Sequence, residues 1–137
     1  MFTLKEKKKM VVIATPSGEE VGLFYREPTT KEAHQYQSEA VQRKRNKVIF
    51  RHSEAAEKYG KKILLGIREG DFGAPNATGE TVPISSDRQS PHYREDWRDL
   101  VEQHAGIIII ALGQHVFGGT EALDGEDEMD GEDIVQD

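Results

Sequence analysis

Residues 29–59 read TTKEAHQYQSEAVQRKRNKVIFRHSEAAEKY, and the rest of the chain is arranged around them. Thr29 is followed three positions on by Glu32, with Pro28 just ahead, which is the reciprocal arrangement that starts a helix. Ala33, Tyr36, Ala40, Val41 and Val48, with the stem of Lys44, recur at spacings of three and four and would share one stripe. Arg43, Lys44, Arg45, Lys47 and Arg51 give the same stretch a basic side. The pattern predicts one long helix with a buried face and a basic face. Residues 51–54 interrupt it, and Ser53 can cap a second helix carrying Ala55, Ala56, Tyr59, Ile63, Leu64 and Ile67 to an end near residues 66–70. Gly60 costs that helix about 1 kcal/mol relative to Ala, and the pair Leu64-Leu65 would also suit a strand.

Residues 10–26 predict a β-hairpin. Met10 to Ala14 and Val21 to Tyr25 are apolar runs that flank a Pro16/Gly18 reversal. Val11 and Ile13 point to one side of the first strand, and Met10, Val12 and Ala14 to the other. Both sides are apolar, while a helix layer covers one. The second face therefore needs later segments or another protein. Phe2 and Leu4 either form a short preceding strand or pack on this unit.

Residues 70–91 contain Gly70, Gly73, Pro75, Gly79, Pro83 and Pro91 and read as a long connection, with an edge strand at residues 81–84. Connections of about 20 residues are commonly functional or mobile. Residues 92–104 have a helical pattern, with Tyr93, Trp97, Leu100, Val101 and His104 on one side. Four isoleucines at residues 107–110 suit a buried strand by propensity, but residues 112–117 continue at helical spacing. Helix is favoured, ending at Gly118-Gly119, as a central core element or a protein interface.

A chain of 137 residues with 31% charged side chains suits one domain with a polar surface. The net charge of −7 is unevenly placed. Residues 121–137 hold nine acids and no base, so the 25 acids leave 16 against 18 bases in residues 1–120, and the body is slightly positive. That ending has too little apolar surface to offset ordering it, and disorder is expected there. No apolar run approaches the roughly 20 residues of a membrane span, and no secretion leader is expected. With no cysteine, disulfides and thiolate metal sites are excluded, which fits a reducing cytoplasm. The fold class expected is α+β: an N-terminal antiparallel hairpin or small sheet packed on three to four helices in residues 1–120, followed by the acidic tail.

Little in the chain suggests chemistry. His34, His52, His92, His104 and His115 are scattered and form no short ligand motif, so no metal or other cofactor is expected. Glu95, Asp96 and Glu102 near His92 are what a polar helix face carries anyway. Gly66, Gly70 and Gly73 lack the lysine and hydroxyl of a phosphate loop. The triplet Asn76-Ala77-Thr78 matches a glycosylation acceptor and more often marks a turn. The acidic run at residues 124–132 lacks the terminal glutamate and flanking helices of a calcium loop. Basic residues 43–51 could engage phosphates, but no recognition motif accompanies them, which leaves a solvated face or an acidic protein partner as the commoner explanation.

The order of features resembles the small tail assembly chaperones of long-tailed bacteriophages and prophages. The resemblance spans residues 10–119: the hairpin, the run FYREPTTKE at residues 24–32 leading into a helix, the IREG turn at 67–70, the GETVPIS loop at 79–85, a tryptophan helix, and an apolar helix ending VFGG at 116–119. These are structural signatures with no catalytic residue. The resemblance implies a non-enzymatic assembly factor in the bacterial host cytoplasm. It would shield the tape measure protein, help recruit tail tube subunits, and be absent from the finished tail. The acidic ending departs from the family pattern. The alternatives are a structural tail or head-tail connector subunit retained in the virion, and a nucleic-acid-binding regulator using the basic stretch.

The residues independently suggest a protein that binds other proteins and self-associates, with no membrane role. Val11, Ile13, Phe24, Arg43, Lys44, Arg45, Lys47, Arg51, Trp97, Ile108, Leu112 and Phe117 are the candidate interaction residues.

Overall fold

The computed structural model describes residues 8–118. The acidic ending, Gly119, Phe2 and Leu4 lie outside them. The described residues form a mixed α+β fold with four helices. Strands β1 (Lys8–Ala14) and β2 (Glu20–Arg26) make the expected hairpin, with Val11 opposite Leu23 and Ile13 opposite Val21. Val11, Ile13, Val21, Leu23 and Tyr25 face the core, while Met10 and Val12 point away from it and remain 45% and 42% exposed.

Helix α1 (Thr30–Ala40) begins where the sequence predicts. Glu32 N–H donates to Thr29 Oγ1 at 3.1 Å, and Thr29 N–H donates to Glu32 Oε1 at 3.0 Å, so the capping box is complete. The predicted long helix is corrected at its second half. It stops at Ala40, and residues 41–50 form a β-ribbon of β3 (Val41–Lys44) and β4 (Lys47–Phe50). Arg45-Asn46 makes the two-residue turn, with Arg45 at φ 56°. Val41, Val48, Ile49 and Phe50 are β-branched or aromatic, and the turn lets them pair across strands instead of continuing at helical spacing. Arg51 N–H then donates to the Ala40 carbonyl at 2.7 Å and closes the ribbon's base on the end of α1.

Helix α2 (His52–Ile63) has Arg51 at its N-cap, so Ser53 lies in the first turn and is not the cap. It also ends earlier than expected. Leu64–Ile67 is strand β5, which pairs antiparallel with β2 and completes a sheet in the order β1, β2, β5. Arg98 ends α2 by donating to the carbonyls of Lys61 and Leu64.

The long connection is tied down in detail. β6 (Gly73–Pro75) pairs with β7 (Thr81–Pro83), the edge strand the sequence predicts, around a turn in which Asn76 Oδ1 accepts from the Thr78 and Glu80 amides at 3.0 Å. The Asn76 triplet thus sits in a turn. Buried Ser85 donates to Glu69 Oε1 at 2.6 Å, and Ser90 donates to Glu69 Oε2 at 2.7 Å. These two hydroxyls hold the Glu69 carboxyl below its ordinary pKa.

Helix α3 (Trp97–His104) starts five residues later than the predicted block, because residues 92–96 are held as a turn in which Arg94 pairs with Asp96 at 2.9 Å. The isoleucine block is helical, α4 (Gly106–Gly113), and runs into a π-turn (Gln114–Gly118). Contact with α2 overrides its strand propensity. A Cβ on Gly60 would stand 2.6 Å from the Ile109 carbonyl oxygen, and one on Gly113 would overlap the Ala56 backbone, so the two helices cross backbone against backbone. Beyond the crossing, Phe117 stacks on Tyr36 at 5.0 Å and meets Tyr59 edge-on at 5.7 Å. Among the described residues no single helix is long and apolar enough to cross a membrane.

Candidate protein-interaction surfaces

The candidate residues separate into three groups. Trp97, Ile108, Leu112 and Phe117 are buried within the chain, at 9% exposure or less, and belong to its core. Their apolar character is satisfied by α2, α1 and one another. Val11 and Ile13 are partly buried against the same core. The remaining candidates lie on two surfaces that the core leaves uncovered.

The first is the ribbon. Across it Val41 faces Phe50 and Arg43 faces Val48, so these four share one side; Gln42, Ile49, Lys44 and Lys47 share the other, with Arg45 at the tip. Phe50 is 69% exposed and Val48 44%, and Phe50 stacks on the His52 ring with centroids 5.9 Å apart. Residues 41–51 contain five bases and no acid. Arg51 pairs with Glu54 at 2.9 Å, but among the described residues no carboxylate pairs with Arg43, Lys44, Arg45 or Lys47. Helix periodicity would have put these charges on one solvated face, with Val48 buried. The ribbon instead projects charge on both sides together with exposed apolar surface. The signal for it was Arg45-Asn46 between two runs containing β-branched residues, and the apolar members Val48 and Phe50 were not among the expected interaction residues.

The second surface is the outer face of the sheet. Met10 opposes Phe24 across β1 and β2, and Gly66 of β5 lies on the far side of Phe24. Lys8 Nζ sits 4.5 Å above the Phe24 ring. A groove of about 720 Å³ follows, lined by Lys8, Phe24, Leu65, Arg68, Glu69 and Arg88. Gly66 lies in its lining, where a Cβ would stand 2.8 Å from Ser86 Oγ. At the β5 edge Ser86 Oγ accepts from Ile67 N–H at 2.9 Å and blunts further pairing. Among the described residues β1 pairs only with β2.

The most apolar of the concave regions lies on the other side of the sheet. A pocket of about 540 Å³ between β6 and α3–α4 is lined mainly by Val21, Phe72, Ala74, Ile84, Val101 and Ile108. Glu19, Asp71 and His104 also line it, and Asp71 is already engaged, with Oδ2 accepting from Gly22 N–H at 2.7 Å and Arg68 Nε at 2.6 Å. Tyr59 donates to Glu39 Oε2 at 2.6 Å; burial first and then that carboxylate push its hydroxyl up to about 12, and the same bond holds Glu39 low. Asp71 thus ties the segment after β5 to β2, and the Tyr59–Glu39 pair holds α2 to α1. No group of three or more His, Asp or Glu side chains placed to hold a metal occurs among the described residues. The two surfaces therefore offer exposed apolar side chains beside positive charge.

No family model matches the chain, and no curated protein or solved structure matches it.

Proposed function

We propose that this chain is a non-enzymatic assembly factor that holds other polypeptides, of the kind represented by the small tail assembly chaperones of long-tailed bacteriophages and prophages. The observation that carries the binding half is the projecting ribbon, on which Phe50 and Val48 stand exposed among Arg43, Lys44, Arg45 and Lys47. Desolvating an aromatic within a ring of cations is how a protein anchors an amphipathic, acidic segment. A long helical tape measure protein supplies segments of that kind, and tail tube subunits are the second proposed partner. The phage assignment rests on the sequence resemblance alone. Self-association is proposed through the exposed Met10–Val12 face of the sheet.

The test is co-expression of the full chain with the product of a long, helix-rich reading frame beside its gene, followed by affinity capture and mass spectrometry of purified virions. Capture together with absence from virions is the expected result. Stoichiometric retention in virions would instead mark a structural tail or connector subunit. Failure of capture would overturn the assembly reading.

One observation favours a second reading. A two-stranded ribbon fits the major groove of DNA, and this one carries unpartnered cations on both sides. A nucleic-acid regulator would show DNA or RNA binding that weakens steeply with salt and is lost when Arg43, Lys44 and Lys47 are replaced by Ala.

A further inference from the structure

We propose that the acidic segment at residues 121–137 docks on the basic ribbon of β3 and β4 in the same molecule, covering it until an acidic partner displaces it. Complementary charge is the first support. The segment has nine acids and no base, and residues 41–51 have five bases and no acid. The second is the point at which the described chain leaves the core. Phe117 stacks on Tyr36 at 5.0 Å, and Tyr36 lies one helical turn before Ala40, whose carbonyl closes the ribbon's base. At 1.5 Å rise per residue those four positions span roughly 6 Å. Each ribbon strand has four residues and is about 13 Å long. The residues from 118 to 121 can cover about 10 Å when extended, and the sixteen that follow exceed the ribbon's length several-fold. Reach therefore agrees with charge.

The apolar residues also match. Met129, Ile134 and Val135 punctuate the acidic segment, and Val48 and Phe50 are the ribbon's uncovered apolar side chains. Docking brings each group to its complement and lowers the repulsion among four cations crowded around one turn. Because the segment is tethered, its high effective concentration lets a weak contact persist. A free acidic partner must then exceed that concentration or bind more tightly, so the segment sets a threshold for engagement.

The test uses the full chain, mixed as equal parts of natural and nitrogen-15-labelled protein and treated with a carbodiimide that couples carboxylates to lysines with no spacer. The expected products join Lys44 or Lys47 to acids of residues 121–137 within single isotopic chains. Their yield should be several-fold above that of Lys31, Lys61 and Lys62, and should collapse in 1 M salt, where screening acts within about 3 Å. The double variant R43E/R45N keeps both reporter lysines and should lower their coupling several-fold. Tail links spread evenly over all lysines, or links that mainly join natural to labelled chains, would overturn the proposal. If the variant misfolds, the salt series on the unaltered chain still decides it.

Discussion

Arg26 grips Glu32 with both prongs of its guanidinium, Nη1 to Oε1 at 2.8 Å and Nη2 to Oε2 at 2.7 Å, and so ties the end of β2 to the first turn of α1. The same carboxylate accepts the Thr29 amide, so one side chain serves the capping box and the sheet-to-helix joint. Arg26 is the main reason that the Glu32 carboxyl falls to about 2, with burial opposing it and Thr29 assisting.

The pair predicts an acid limb in stability. A carboxyl whose folded value is depressed contributes fully above its unfolded value near 4.5 and loses that contribution as pH falls toward 2. Discounted for solvent screening, the loss should be about 1–2 kcal/mol over that window. E32Q should flatten this limb in urea melts at pH 2.5–5. An unchanged pH profile would mean that the pair is not coupled to folding.

Helix crossing makes a contrasting prediction for glycines. G113A forces a methyl group into the Ala56 backbone, which cannot yield as a flexible side chain does, and should cost about 3 kcal/mol or more. G106A meets only Glu57 Oε2 at 3.8 Å and should stabilise α4 by about 0.5–1 kcal/mol through helix propensity. Thermal melts that ranked the two the other way would refute the crossing.

Arg45 holds a positive φ that glycine adopts without penalty. R45G should therefore raise stability by about 1 kcal/mol and also relieve repulsion from Arg43, Lys44 and Lys47. A loss of stability would show that residues 41–50 are not folded as this ribbon.

Exposure separates binding from packing. F50S removes a ring that is 69% exposed and should leave stability within about 0.5 kcal/mol while reducing partner capture sharply. F117A removes a ring stacked between Tyr36 and Tyr59 and should cost about 3–5 kcal/mol. Chemical denaturation of both, beside the capture assay, checks the division.

Self-association should depend on the outer sheet face. M10E/V12E places like charges on two exposed positions of β1 and should convert an associated species to monomer in light scattering, with the melting temperature little changed. A full chain that is already monomeric at high concentration would remove this part of the functional proposal.

The sequence by itself determined the N-terminal hairpin and its two apolar faces, the capped start of α1 and the turn at Asn76, because each is written in neighbouring residues: alternation, a capping pair, a side chain that bonds its own backbone. Tertiary structure decided the rest. Residues 41–50 satisfy helical spacing and strand propensity together, and only closure of Arg51 on Ala40 around the Arg45 turn selects the ribbon. Gly60 counted against a helix in the sequence and instead permits the approach of α4 to α2, a requirement set by residues about 50 positions away. Trp97, Ile108, Leu112 and Phe117 carried the apolar character of an interface, but whether such side chains are covered by the same chain or another depends on which elements meet, and these meet one another.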